Sequence, residues 1–115
     1  MTMKPTIIRS TKATESFIKD KKVRDILKTK DWPFGLALVK KTTNDIRAGY
    51  DKESDVVYYV LKGKSTCTLN GKKYKVKQGD FIVSPKGTVY KNLKGTTLLA
   101  ISYPVYDREK RVYVE

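Results

Sequence analysis

Apolar residues recur along this chain in short runs, many alternating with polar ones, and glycine, proline and asparagine punctuate them. The densest such stretch runs from Asp55 to Pro104. It opens with Asp55-Val-Val-Tyr-Tyr-Val-Leu-Lys-Gly63 and passes through Asn70-Gly71 and Gly79-Asp80-Phe-Ile-Val-Ser-Pro85-Lys-Gly87. It closes with Leu98-Leu-Ala-Ile-Ser-Tyr103-Pro104. Runs of β-branched and aromatic residues bounded by turn formers at this spacing predict a small antiparallel barrel or sandwich. Strands are predicted over 34–40, 56–61, 64–69, 73–77, 81–84, 89–93 and 96–103, those at 34–40 and 81–84 as buried ones. Asn70-Gly71 predicts a two-residue type I′ hairpin, because both residue types tolerate positive φ. After it Tyr74 and Val76 face one way and Lys73, Lys75 and Lys77 the other, so one face meets the core and one meets water. Pro85-Lys86-Gly87 predicts a turn.

The flanks are less decisive. Residues 4–9 read as a first strand, with Pro5 suited to its start or to a sheet edge. Over 14–30, Phe17, Ile18, Val23, Ile26 and Leu27 fit one face of a helix or two short edge strands. Trp32-Pro33 ends whatever precedes it, and Trp32 is expected to plug one barrel end, with stacking on a ligand as the alternative. Residues 42–54 carry little apolar material beyond Ile46 and Tyr50, and read as a polar strand or loop crossing a site mouth. At the C-terminus Arg111-Val-Tyr-Val alternates like a last edge strand, pairing with the N-terminus or with a partner subunit.

Composition narrows the class. The 115 residues, 39% hydrophobic and 32% charged, fit one globular domain over 1–115. No apolar run approaches the ~20 residues that cross a bilayer, and the first residues lack the apolar segment of a secretory signal. A cytoplasmic location without a membrane partner is the expectation. Cys67 is the one cysteine, so no disulfide framework is expected and the thiol reads as a buried structural group. The balance of 25 Lys+Arg against 12 Asp+Glu, net +13, fits a solvated lysine surface first, and otherwise an anionic partner: nucleic acid, membrane or small molecule.

The glycines and prolines of the central stretch resemble those of the cupin superfamily, small jelly-roll barrels. The first motif of that family is a glycine, five residues, His-x-His, three or four residues, glutamate, six residues and glycine. The second is a glycine, five residues, Pro-x-Gly, two residues, histidine, three residues and asparagine. Gly79, Pro85 and Gly87 fit the second and Gly63 ends the first. Counting back from Gly63 puts Val56 at the glutamate position and, with the three-residue spacing, Tyr50 and Lys52 at the two histidine positions. Tyr90 stands at the second-motif histidine and Lys94 at the asparagine, with Asn92 two places early. The chain has no histidine. Within the superfamily it most resembles the ethanolamine-utilisation Q proteins (EutQ-like cupins), through Asp55 to Gly63, the Gly79-Asp80 and Pro85-Lys86-Gly87 element, and Ile101-Ser-Tyr103-Pro104. That family also lacks the metal histidines, and acetate kinase activity is attributed to some members. The resemblance implies an all-β fold, a small antiparallel jelly-roll β-barrel, with neither metal nor cofactor, and a homodimer joined through an edge strand.

If that register holds, Tyr58 lines the barrel on the Val56 face and joins Tyr50, Lys52 and Tyr90 near the mouth, with Arg47 at the rim. An aromatic wall with a cationic anchor suits a small, planar or anionic metabolite. These five residues are the candidate ligand-binding site. Tyr50, Tyr90, Lys52, Glu53 and Asp55 are candidates for acid–base work. There is no phosphate-loop or dinucleotide fingerprint. Against this stands the reading that the tyrosines fill a narrow barrel. Two other function classes remain: a non-catalytic structural or regulatory module, and a nonspecific nucleic-acid binder, the least favoured as a partner.

Overall fold

The computed structural model describes residue 7 and residues 14–18, 21–27, 33–42, 48–92, 94–105 and 107–114. Ten strands account for most of these: β1 Thr14–Ile18, β2 Lys21–Leu27, β3 Gly35–Lys41, β4 Gly49–Asp51, β5 Asp55–Leu69, β6 Lys72–Lys77, β7 Phe81–Ser84, β8 Tyr90–Asn92, β9 Thr96–Tyr103 and β10 Arg111–Tyr113. Every pairing is antiparallel. Two sheets share β5. Its first half lies between β9 and β7 in the order β1-β2-β3-β9-β5-β7, and its second half between β6 and β8 in the order β6-β5-β8-β4-β10.

The two predicted strands 56–61 and 64–69 are therefore one bent strand. Its bend has a local cause. Pairing with β9 shifts register between Val60 and Lys62, a bulge that kinks the strand. Gly63 follows at φ +89°, and a Cβ there would lie 2.0 Å from the Gly95 carbonyl oxygen. Only glycine lets the two chain segments cross that closely. The Asn70-Gly71 turn adopts the predicted geometry, with φ of 49° and 83°. Asn70 also accepts a bond from the Val89 N–H at 2.9 Å, tying the hairpin to the lead-in of β8.

Alternation then decides what lies inside. On the first sheet Val56 and Val60 of β5, Ile82 of β7, Leu98 of β9 and Val39 of β3 point inward and are buried. On the second sheet Cys67, Tyr90 and Asn92 do so. Val39, Val60, Cys67, Ile82, Tyr90 and Leu98 form one cluster, with Tyr58, Leu69, Val76 and Ala100 packed against it. Cys67 is fully buried, and burial pushes its thiol pKa up, as a structural thiol requires. The sandwich is the predicted antiparallel jelly roll, curled into a half-barrel.

Several expectations change. Of the two readings left open over 14–30, the two-strand one holds at Thr14–Ile18 and Lys21–Leu27. Residues 81–84, expected to be buried, lie along one side of β5 with Phe81 and Val83 exposed and Ile82 and Ser84 buried. The last strand pairs with β4 of its own chain. Of residues 4–9 only Ile7 is described, outside any strand and exposed; Trp32 and Arg47 lie outside the described residues. Among the described residues no helix is long and apolar enough to cross a membrane.

Candidate functional site

Strand β4 is the hinge of the site, and its register is fixed from two sides. Gly49 stands opposite Tyr90 of β8, while Tyr113, Val112 and Arg111 of β10 stand opposite Gly49, Tyr50 and Asp51. Directly opposed residues share a face. Tyr90 is buried in the core cluster, so Gly49, Asp51 and Arg111 share its inner side. Tyr50 takes the other face with Val112. The motif register is thus the four-residue spacing rather than the three-residue one, and Gly49 and Asp51 stand where Tyr50 and Lys52 were expected.

Inside, Arg111 organises the group. Its Nη1 lies 3.5 Å from Asp51 Oδ1, with both side chains about nine-tenths buried. Its Nη2 donates to the Tyr90 carbonyl oxygen at 3.4 Å. Its Nε lies 3.2 Å from the point a Cβ on Gly49 would occupy, so the guanidinium fills space that a side chain at 49 would contest. A Cβ there would also come within 2.7 Å of the Val112 carbonyl oxygen. The ring of Tyr90, whose carbonyl Arg111 holds, stacks on Tyr58 with centroids 5.0 Å apart and planes 12° from parallel.

Loop bonds hold these strands in place. The Pro85-Lys86-Gly87 turn docks on the β4–β5 connection: the Lys86 N–H donates to Asp55 Oδ1 at 2.8 Å and the Gly87 N–H to the Asp51 carbonyl at 2.9 Å. Ser54 Oγ donates to the Pro104 carbonyl at 3.0 Å. The turn that leads to Tyr90 is thereby pinned next to Asp51.

Of the five sequence candidates, the structure brings Tyr58 and Tyr90 into contact. Tyr50 is half-buried on the opposite face of β4. Lys52 is exposed just beyond it, and its backbone N–H donates to the Lys110 carbonyl. Asp51 and Arg111 were missed. The signals for them were present: the alternative motif spacing pointed to Asp51, and the Arg111-Val-Tyr-Val alternation set Arg111 on one face.

Comparison with known proteins fits this geometry. The model of the cupin domain family matches residues 41–96, the stretch from the end of β3 to the start of β9. Pac13 from Streptomyces, solved with uridine, superposes with a TM-score of 0.87 at 13% identity, over 97% of this chain and 92% of that one. The fold is the all-β jelly roll of cupin domains. The polyketide cyclase RemF from Streptomyces resistomycificus shares it, with a TM-score of 0.77 at 18% identity over 97% and 87% of the two chains. An uncharacterized protein of Aquifex aeolicus is 45% identical over 69 residues, 57% of each chain. The match spans little more than half the length of the curated relatives.

Many cupins hold a transition metal on their motif residues. In the register observed, the four motif positions carry Gly49, Asp51, Val56 and Tyr90. One carboxylate and no imidazole do not make a ligand set for such a metal, and its carboxylate faces a guanidinium. Among the described residues no group of three His, Cys, Asp or Glu is placed to hold an ion. The residues present do not fit a cupin metal.

Proposed function

We propose that the barrel interior binds a small planar or anionic metabolite against Tyr58 and Tyr90, with Arg111 as the cation. The observation that carries this reading is the largely buried Arg111 guanidinium, which bonds the carbonyl of Tyr90 at 3.4 Å while the Tyr90 ring stacks on Tyr58. A guanidinium presents its donors in a rigid fork suited to carboxylate or phosphate, and Asp51 fixes its orientation. Aromatic faces favour a flat ligand. Similar folds support a small-molecule role: Pac13 is described as a nucleoside dehydratase and RemF as a polyketide cyclase. The likeness to EutQ-like cupins, which also lack the metal histidines, agrees with a ligand site built without metal. In this reading Lys52 belongs to the outer rim. For turnover, Asp51 and Tyr90 are the inward groups able to move a proton.

The test is a thermal-shift series on the full chain with uridine, uridine monophosphate and small carboxylates. A true ligand at 100 times its Kd stabilises the fold by about 2.7 kcal/mol, and Tyr58→Leu should abolish the shift while leaving the fold intact. If no compound in the series raises the melting temperature at millimolar concentration, the reading fails.

A second reading has its own observation. The outer face of the β6-β5-β8 sheet carries Lys73, Lys75, Lys77, Lys64 and Lys91, with Thr66 and Thr68 between them by register. This surface suits a polyanion backbone. Binding of a single-stranded oligonucleotide that weakens steeply with salt would support it, and absence of binding at low salt would remove it.

A further inference from the structure

We propose that the outer face of the β5–β6 hairpin holds a pocket for a phosphate monoester. Such a pocket rests on the anion-binding reading of the lysine face, to which it gives a definite place and ligand class. A cavity of about 560 Å³ lies there, within the size of known small-ligand sites. Lys64, Thr66, Lys75 and Lys77 line it, together with Asp80. Register puts the first four on one face. Lys64 stands directly opposite Lys77 and Thr66 directly opposite Lys75. Cys67 between them in sequence and space is buried in the core, so alternation turns Lys64 and Thr66 outward.

The backbone builds this cavity at a bend. Strand β5 shifts register between Val60 and Lys62, and the turn after β6 folds back against that bulge. The Gln78 N–H donates to the Gly63 carbonyl and the Gly79 N–H to the Val60 carbonyl, each at 2.9 Å. In return the Val60 N–H donates to the Asp80 carbonyl at 2.9 Å. Asp80 Oδ2 accepts from the Lys77 N–H at 2.8 Å, so the carboxylate closes the turn through backbone. Ser65 Oγ donates to the Lys94 carbonyl at 3.0 Å, which ties this part of β5 to the segment before β9.

The charges in the lining call for an anion. Like charges set directly opposite each other on paired strands repel, and Lys64 and Lys77 stand that way. Among the described residues Lys64, Lys75 and Lys77 make no ion pair, whereas Lys110 and Arg111 each face a carboxylate. Three ammonium groups against the one carboxylate of Asp80 leave a surplus of two positive charges. A phosphate monoester carries about two negative charges at neutral pH; a phosphodiester or a carboxylate carries one. Lysine meets phosphate as a point charge and does not need a fixed fork geometry. Thr66 adds a neutral hydroxyl donor on the same face, and the volume leaves room for the organic body that a monoester carries.

The experiment is isothermal titration calorimetry of the full chain at low ionic strength with two matched pairs of probes. One pair is glucose 6-phosphate and glucose; the other is a short oligonucleotide with a 5′-phosphate and the same oligonucleotide with a 5′-hydroxyl. The pairs separate a free metabolite from a nucleic-acid end as the source of the phosphate. Preference for the phosphorylated member of either pair is expected. The double variant Lys64→Gln/Lys77→Gln should weaken that binding at least ~10-fold and keep the wild-type circular dichroism, since both side chains are exposed. Lys75→Gln repeats the test if the double variant fails to fold. Lys86→Gln, which removes an exposed cation on the Pro85–Gly87 turn, should bind like wild type. The pocket is overturned if neither phosphorylated probe exceeds its counterpart, or if the folded double variant binds as well as wild type. An oligonucleotide bound equally with and without its phosphate, alongside glucose 6-phosphate no better than glucose, overturns the pocket and leaves the broader lysine surface standing. Glucose 6-phosphate bound without any oligonucleotide binding removes that surface and supports the pocket, so the two fail separately.

Discussion

Asp51 and Arg111 face each other across the β4–β10 pair, 3.5 Å apart and about nine-tenths buried. The pair joins a central motif of the fold to the last strand, sixty residues on. It also sits at a position that a cupin with a metal centre gives to a ligand. An ion pair there provides what a metal would otherwise provide structurally, a polar link between strands inside an apolar shell. Taking two charges out of water is costly, and their attraction offsets that cost only while both remain.

The two partners are therefore not equivalent. Asp51→Leu leaves a buried guanidinium that cannot lose its proton, and is expected to cost about 3–5 kcal/mol. Arg111→Met leaves a carboxylate that can take up a proton, and should cost less. The double variant Asp51→Leu/Arg111→Met should recover most of the loss. Urea unfolding of the four proteins measures this cycle; additive costs in the double variant would show that the two groups do not interact.

Tyr58 supplies the next prediction. It is half-buried and stacks on the buried Tyr90 ring. Tyr58→Leu retains an apolar side chain on the inner face, so the fold should persist with a loss of about 0.5–1.5 kcal/mol from the stacking geometry. Tyr58→Phe keeps the ring and should be close to neutral. Thermal unfolding separates the two. Equal losses in both variants would place the effect in the hydroxyl rather than the ring.

How much of this could be read from the residues differs between fold and site. Turn chemistry is local, so Asn70-Gly71, the Pro85–Gly87 turn and the run at 96–103 were legible, and with them the jelly roll. The bend in β5 was not, because Gly63 read as a strand end; its close approach to Gly95 depends on a distant segment. The site turned on one residue of spacing. Alternation means a one-residue slip swaps the faces, so Tyr50 and Lys52 gave way to Gly49 and Asp51. Arg111 was visible as part of an alternating strand, but its pairing with β4 rather than another partner is set by tertiary packing. Phe81 and Val83 read as buried because hydrophobicity does not say which face a neighbour covers.

The thiol gives a pH dependence. Burial raises the Cys67 pKa above its ordinary 9.0, with a backbone hydrogen bond pulling weakly the other way. The folded state thus holds the proton after the unfolded chain has lost it. Stability from this group is whole below pH 9.0 and declines as pH rises further, by at most about 1.4 kcal/mol per unit. Other groups titrate in that range, so the readout is the difference between wild type and Cys67→Ala in urea unfolding at pH 8 and pH 10. A difference that does not narrow with pH would contradict the burial argument. The same thiol should react with a disulfide reagent only after unfolding.

Gly63 and Gly71 both sit at positive φ, 89° and 83°, yet only one of them is crowded. A Cβ on Gly71 meets nothing within 4 Å, whereas one on Gly63 lies 2.0 Å from the Gly95 carbonyl. Gly71→Ala should therefore cost only the left-handed backbone penalty, about 1–2 kcal/mol. Gly63→Ala adds a clash with backbone that no rotamer relieves, so the strand must move at its bulge and the loss should reach about 3 kcal/mol or more. Because β5 belongs to both sheets, that movement disturbs the inner faces together, and the Tyr58–Tyr90 contact should loosen with it. Near-ultraviolet circular dichroism reports the packing of the tyrosines, and urea midpoints report the two costs. Equal destabilisation by the two substitutions would mean that φ alone, and not the crossing at Gly95, is what requires glycine at 63.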